Sequence, residues 1–226
     1  EYCEGGELYG SNNLKRLSNE KQIAEIVLTI TDALDFCHSK SIVHRDIKVT
    51  QTQLSPKTFS GLPKTKAVLK IADFGFAKLS PEQLMITACG TPMYFSPEIL
   101  EGKPYDNAVD YWSLGVITYI FSFDLKRLSG KPPFEASDEK ELFEKIKGGK
   151  IDFPERQWKY ISCSAKDFIL RLLDKNPKKD TKLQDKDSPL DPIGPQGGTV
   201  VQGAQIKFEK NEASRQVEKI KFMIER

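Results

Sequence analysis

The sequence predicts a mostly α fold with small β elements, and three observations carry that expectation. Between residues 19 and 38, apolar side chains recur at Ile23, Ile26, Val27, Ile30, Ala33, Leu34 and Cys37. Spacing of three and four is that of a helix with one buried face. Residues 109–120, around Trp112 and Leu114, are strongly apolar, as in a helix enclosed on most sides. Against these, only short segments read as strands, and they lead directly into polar loops. With 226 residues, 38% hydrophobic and 29% charged, the chain is long enough for one well-buried domain and a tail.

In chain order, Asn19 is an N-cap for the first helix, with Gln22 three residues on. Ile42-Val43-His44-Arg45-Asp46 follows as a short strand running into a loop. Residues 55–66, rich in Ser, Pro, Gly and Lys, read as a turn between two strands. Residues 67–72 form the second strand, delivering Asp73-Phe74-Gly75 at its end. Residues 79–97 have weak periodicity and predict a long ordered or switchable loop. After the apolar helix, helical patterns return at 139–147 and 164–173. Ser164 caps the second, which turns Phe168, Ile169, Leu172 and Leu173 inward. Residues 180–205, rich in Asp, Gly, Pro and Gln, predict a linker. Residues 212–226 suit a last short helix with Val217, Ile220, Met223 and Ile224 on one side.

Thirty-four basic side chains against 32 acidic ones leave a net charge of +2. That balance argues against nucleic acid or an anionic membrane as the main partner. No uninterrupted apolar run approaches the roughly 20 residues that span a bilayer. The first residues are acidic, unlike a signal peptide, and there is no starting Met; the expectation is a fragment. Cys3, Cys37, Cys89 and Cys163 form no CxxC pair, which predicts reduced thiols of the cytoplasm, with the nucleus as the alternative.

Four motifs follow one another in a fixed order. His44-Arg45-Asp46-Ile47-Lys48 is followed by Asp73-Phe74-Gly75. Gly90-Thr91-Pro92-Met93-Tyr94-Phe95-Ser96-Pro97-Glu98 comes next, then Asp110-Tyr111-Trp112-Ser113-Leu114-Gly115. Over residues 1–179 this resembles the C-terminal lobe of serine/threonine protein kinases. Gly130-Lys131-Pro132-Pro133-Phe134 and Cys163-Ser164-Ala165-Lys166-Asp167 are similar to the calcium/calmodulin-dependent kinase group. Residues 72–78 also resemble the autophagy-initiating kinases. The resemblance implies hinge and C-lobe over 1–179, with 180–226 as linker and tail.

It further implies ATP and Mg²⁺ as cofactors and protein Ser/Thr hydroxyls as substrates. Phosphoryl transfer asks a protein mainly for positioning and charge neutralisation. Asp46 corresponds to the group that accepts the substrate hydroxyl's proton, Lys48 to the cation facing the phosphate, and Thr91 to the threonine bridging the two. Asp73 is the expected Mg²⁺ ligand, with Gln51 the second, because Mg²⁺ prefers carboxylate and phosphate oxygens. Glu1 and Cys3 correspond to the hinge whose backbone reads adenine, and Gln53 to the residue under its ring. Glu7 corresponds to a ribose or basic-substrate contact, with a solvated carboxylate as the alternative. His44 is expected to pack beneath Phe74, and Asp110 to hold the backbone of the catalytic loop. Arg45 before the catalytic Asp implies activation by loop phosphorylation, with Thr87 preferred over Ser80.

Departures from the family pattern open a second reading, a pseudokinase or truncated C-lobe that binds proteins without catalysis. No glycine-rich loop, strand lysine or partner glutamate precedes Glu1. Val49-Thr50-Gln51 stands where the family has Pro-Glu-Asn. The extra methylene of Gln51 displaces its oxygen by roughly 1 Å, which can cost on the order of a hundredfold in rate. Thr52 and Gln53 replace apolar residues. Asp180 stands where relatives carry an Arg that pairs with the counterpart of Glu98. Residues 121–127 interrupt the expected run. Residues 212–226, with lysines beside an apolar side, are a candidate contact for calmodulin or another regulatory protein, against the plainer reading of a solvated helix.

Overall fold

The computed structural model describes residues 19–54, 69–79, 90–124 and 131–175. Helix α1 spans Glu20–Ser39, and the Asn19 side chain accepts from the Gln22 amide at 3.0 Å, satisfying a donor that the first turn leaves open. Its inward face, Ile23, Val27, Ile30 and Leu34, is fully or almost fully buried. Helix α2 is one turn, Pro97–Leu100. Helix α3, Ala108–Asp124, crosses the centre of the molecule. Helices α4, Glu139–Gly148, α5, Glu155–Trp158, and α6, Cys163–Leu172, complete the described helical body.

Two antiparallel ladders hold the loops above this body. β1, Ile42–Val43, pairs with β4, Lys78–Leu79, placing Ile42 opposite Leu79. β2, Thr52–Leu54, pairs with β3, Leu69–Ile71, placing Gln53 opposite Lys70. The segment from His44 to Gln51 is thus tethered at both ends to the segment from Ala72 to Ala77. The short strand running into a loop that is expected within 42–46 is Ile42–Val43, and in the loop beyond it Arg45 takes a left-handed φ of 69° that no strand accommodates. The strand expected over 67–72 is described over Leu69–Ile71.

Two boundaries differ from expectation for tertiary reasons. Ser162, not Ser164, caps α6: its hydroxyl accepts from the Ala165 amide at 3.1 Å. Glu20 on α1 fixes that choice by accepting from the Ser162 amide at 2.6 Å and its hydroxyl at 2.7 Å. Helix α3 does not end at Ile120 but continues to Asp124. Phe121 and Phe123, in the stretch that reads as an interruption, are buried, Phe123 with its ring 6.4 Å from that of Trp158.

Helices α3 and α6 meet at Gly115, where an added Cβ would lie 2.9 Å from Leu172 Cβ and Leu173 Cγ. Those atoms belong to a packed core, so they cannot yield cheaply. Gly115→Ala is expected to destabilise the fold by about 1–3 kcal/mol, read as a lowered urea midpoint; an unchanged midpoint would show that the helices can part without penalty.

Candidate active site

The site begins where β1 ends. With Arg45 left-handed, the chain turns sharply and buries the next side chain, Asp46, at 2% exposure. A buried carboxylate needs partners, and Asp46 has them. Lys48 Nζ lies 3.0 Å from Asp46 Oδ2. Thr91 donates to Asp46 Oδ1 from its amide at 2.9 Å and from its hydroxyl at 3.1 Å. Lys48 Nζ in turn donates to Thr91 Oγ1 at 3.4 Å, so the three residues close a ring of charge-assisted hydrogen bonds. Gly90 makes this approach attainable. Its φ is 115°, and a Cβ there would sit 2.7 Å from the Arg45 carbonyl oxygen, too close for any side chain.

Asp110, from the first turn of α3, holds the catalytic loop from below. Its Oδ2 accepts from the His44 amide at 2.9 Å and its Oδ1 from the Arg45 amide at 2.8 Å. The sequence expectation for Asp110 is met by these two contacts. His44 is fully buried, and its ring lies 4.6 Å from that of Phe74. Its Nδ1 accepts from the Asp46 amide at 3.4 Å, which leaves Nε2 to donate to the Ala72 carbonyl at 3.2 Å. That pattern is the neutral ring. Burial holds the His44 imidazole below its ordinary value of 6.5, although Asp110, the Ala72 carbonyl, Asp46 and Asp73 pull it upward.

Asp73 follows β3 with a left-handed φ of 65°, exposes its side chain and accepts from the Gly75 amide at 3.4 Å. No cluster of three or more His, Cys, Asp or Glu residues suited to a metal occurs among the described residues. The donor set fits Mg²⁺, which takes one or two protein carboxylates and fills its shell with phosphate oxygens and water. Arg45 Nε donates to the Phe76 carbonyl at 2.7 Å, and Nη1 lies 3.4 Å from the Tyr105 hydroxyl, so this guanidinium clamps the Asp73-Phe74-Gly75 loop.

Among the sequence-predicted site residues, the structure brings together Asp46, Lys48 and Thr91. Gln51 ends a 3-10 turn, Val49–Gln51, and Gln53 lies in β2. Glu1, Cys3, Glu7, Ser80, Thr87, Asp180 and 212–226 lie outside the described residues. Sequence reasoning missed His38, whose Nε2 reaches Asp110 Oδ2 at 2.8 Å. A polar side chain near the end of an apolar helix was its only signal, and its partner is 72 residues away.

Comparison with known proteins adds the family. Residues 1–185 match the family described as protein kinase domain. The chain belongs to the protein kinase family. This kinase chain is 43% identical over 180 residues to a probable myosin light chain kinase of Dictyostelium discoideum, covering 79% of the chain and 43% of that protein. It is 38% identical over 173 residues to calcium/calmodulin-dependent protein kinase type 1 of Macrobrachium nipponense, covering 76% and 47%. With calcium-dependent protein kinase 4 of Arabidopsis thaliana the identity is 40% over 181 residues, covering 79% and 33%. The kinase chain spans less than half the length of the curated relatives it matches. These relatives support a serine/threonine kinase of the calcium/calmodulin-dependent group, a family that uses ATP and Mg²⁺.

Glu98 of this kinase chain forms no ion pair among the described residues. Burial lifts its carboxyl above the ordinary 4.5, and nearby Asp106 and Glu101 add to the rise. The folded state therefore holds the Glu98 proton to higher pH than the unfolded chain does. Stability contributed by this group is present at low pH and is lost as pH rises from 4.5 through the folded value. Glu98→Gln is expected to stabilise the protein at pH 7 and to flatten this part of the pH profile. Denaturation midpoints between pH 5 and 7.5 test this; a destabilised variant at pH 7 would mean that the charge has a partner elsewhere.

Proposed function

We propose that the full-length protein transfers the γ-phosphate of ATP to Ser and Thr hydroxyls of proteins. The observation that carries this reading is the ring of Asp46, Lys48 and Thr91. Asp46 is buried, oriented from two sides and set beside the Lys48 ammonium, so it is placed to accept the substrate hydroxyl's proton as the oxygen attacks phosphorus. Lys48 can turn from Asp46 toward charge growing on the transferred group without leaving the site. Thr91 holds both, so neither depends on solvent for its orientation. Asp73 and Gln51 are the residues that would hold Mg²⁺. Mg²⁺, when bound, supplies neutralisation of phosphate charge. Glu1, Cys3, Glu7 and Gln53 are the proposed nucleotide contacts.

Four widely spaced cysteines with no CxxC pair are the support for proposing a reducing compartment, the cytoplasm or nucleus. A regulatory partner of calmodulin type is proposed from the relatives' names and from the lysines and apolar residues of 212–226. A second reading, a protein-binding C-lobe without catalysis, is favoured by Gln51 and Gln53 in place of the family's residues. The deciding experiment incubates the full-length protein with Mg²⁺, labelled ATP and Ser- and Thr-containing peptides. Label on the peptide hydroxyls supports the kinase; none above a protein-free control leaves the binding module.

A further inference from the structure

A cavity of about 560 Å³ opens between the end of α3, the end of α4 and the segment from Lys131 to Glu135. That is room for a small organic ligand. Its apolar walls are Tyr119, Phe123, Phe134, Pro132, Pro133 and Pro154, and hydrogen bonds tie them together. The Tyr119 hydroxyl donates to the Asp152 carbonyl at 2.8 Å, and Lys145 Nζ to the Glu135 carbonyl at 2.6 Å. Lys175 holds the end of α4 by donating to the Gly148 carbonyl at 3.0 Å. The cavity is therefore preformed, and a ligand need not order it first.

Gly148, the last residue of α4, lines this space. The left-handed turn that ends the helix falls on Gly149, with a φ of 66°, and Gly148 has no positive φ. A Cβ at Gly148 would meet nothing within 4 Å. Neither the backbone nor crowding calls for glycine there, and glycine is a poor helix residue. The effect of its bare backbone is to leave the cavity open.

Two charges at the mouth are uncommitted. Lys131 is bonded to Glu135 at 2.8 Å and Lys145 to Glu141 at 2.7 Å. Lys150 Nζ and Asp152 Oδ1 stand 3.8 Å apart, beyond hydrogen-bond reach, and neither has another ion pair among the described residues. A ligand with a single charge would meet one partner and one like charge there, whereas a zwitterion satisfies both. We propose that the cavity binds an aromatic α-amino acid, its ring against the proline and aromatic walls, its carboxylate on Lys150 and its ammonium on Asp152. The site shares no residue with the ring of Asp46, Lys48 and Thr91, and the proposal does not rest on the phosphate-transfer reading.

Amide NMR of the 226-residue chain titrated with L-tryptophan tests it. Shifts are expected to saturate with a dissociation constant on the order of 100 µM and to centre on Gly148, Lys150 and Asp152. Indole-3-propionate, which lacks the ammonium, and tryptamine, which lacks the carboxylate, should each bind about threefold weaker, the scale of one exposed ion contact. Lys150→Gln and Asp152→Asn should each weaken L-tryptophan by a similar factor with an unchanged melting temperature, since both side chains are exposed. Gly148→Phe, which fills the space, should weaken it at least about tenfold; if that variant does not fold, the two surface variants decide. No saturable shifts, or shifts centred on the exposed Phe74 and Phe76 rings, would overturn the proposal. So would parent affinity in a folded Gly148→Phe or in both surface variants, or analogues that bind as tightly as L-tryptophan.

Discussion

Asp46→Asn is expected to lower phosphate transfer by the full-length protein about 10²–10⁴-fold, the usual contribution of a positioned acid–base group. Asn keeps the shape of Asp and one oxygen for the Thr91 amide, which Asp46 now receives at 2.9 Å. Its NH₂ would face Lys48 Nζ, 3.0 Å from the present Oδ2, and two donors cannot bond each other. The variant thus loses the proton acceptor and loosens Lys48 together. Steady-state transfer to a peptide, read beside a thermal melt, separates the two effects. A folded variant that transfers phosphate as fast as the parent would remove Asp46 from the chemistry.

Asp110→Ala is expected to have the largest effect on stability, about 3–5 kcal/mol, the range for removing one partner of a buried charged cluster. It leaves the His44 amide, the Arg45 amide and His38 Nε2 without the acceptor that each has now. Each orphaned buried donor costs about 1–3 kcal/mol. Asp110→Asn keeps one acceptor oxygen and should lose less. Urea denaturation of the chain measures both, and a loss below about 1 kcal/mol in Asp110→Ala would show that water replaces the carboxylate.

The helices were legible because their signals are local. The face of α1 from Ile23 to Leu34 follows a spacing of three and four, and Asn19 caps it where the pattern starts. Trp112 and Leu114 read as core and are buried. The ring of Asp46, Lys48 and Thr91 was legible through motif order and resemblance rather than periodicity, since nothing local in Thr91 announces a bond to a residue 45 positions earlier. The nucleotide contacts at Glu1, Cys3 and Glu7 remain proposals.

Other features depended on neighbours far along the chain. Ser162 and Ser164 are equal candidates for a cap until Glu20, 142 residues from Ser162, takes hold of one of them. Phe121 and Phe123 read as part of an interruption until the core buries both and Trp158 sets its ring against that of Phe123. His38 looks like the polar end of an amphipathic helix until Asp110 and Tyr111 close on it. Residue types at motif spacing were enough to establish the kinase lineage, because each type suits a distinct demand of phosphate transfer. The fold set which side chain meets which, because hydrogen bonds and packing act across space, and the ladders and Asp110 bring the two loops together there.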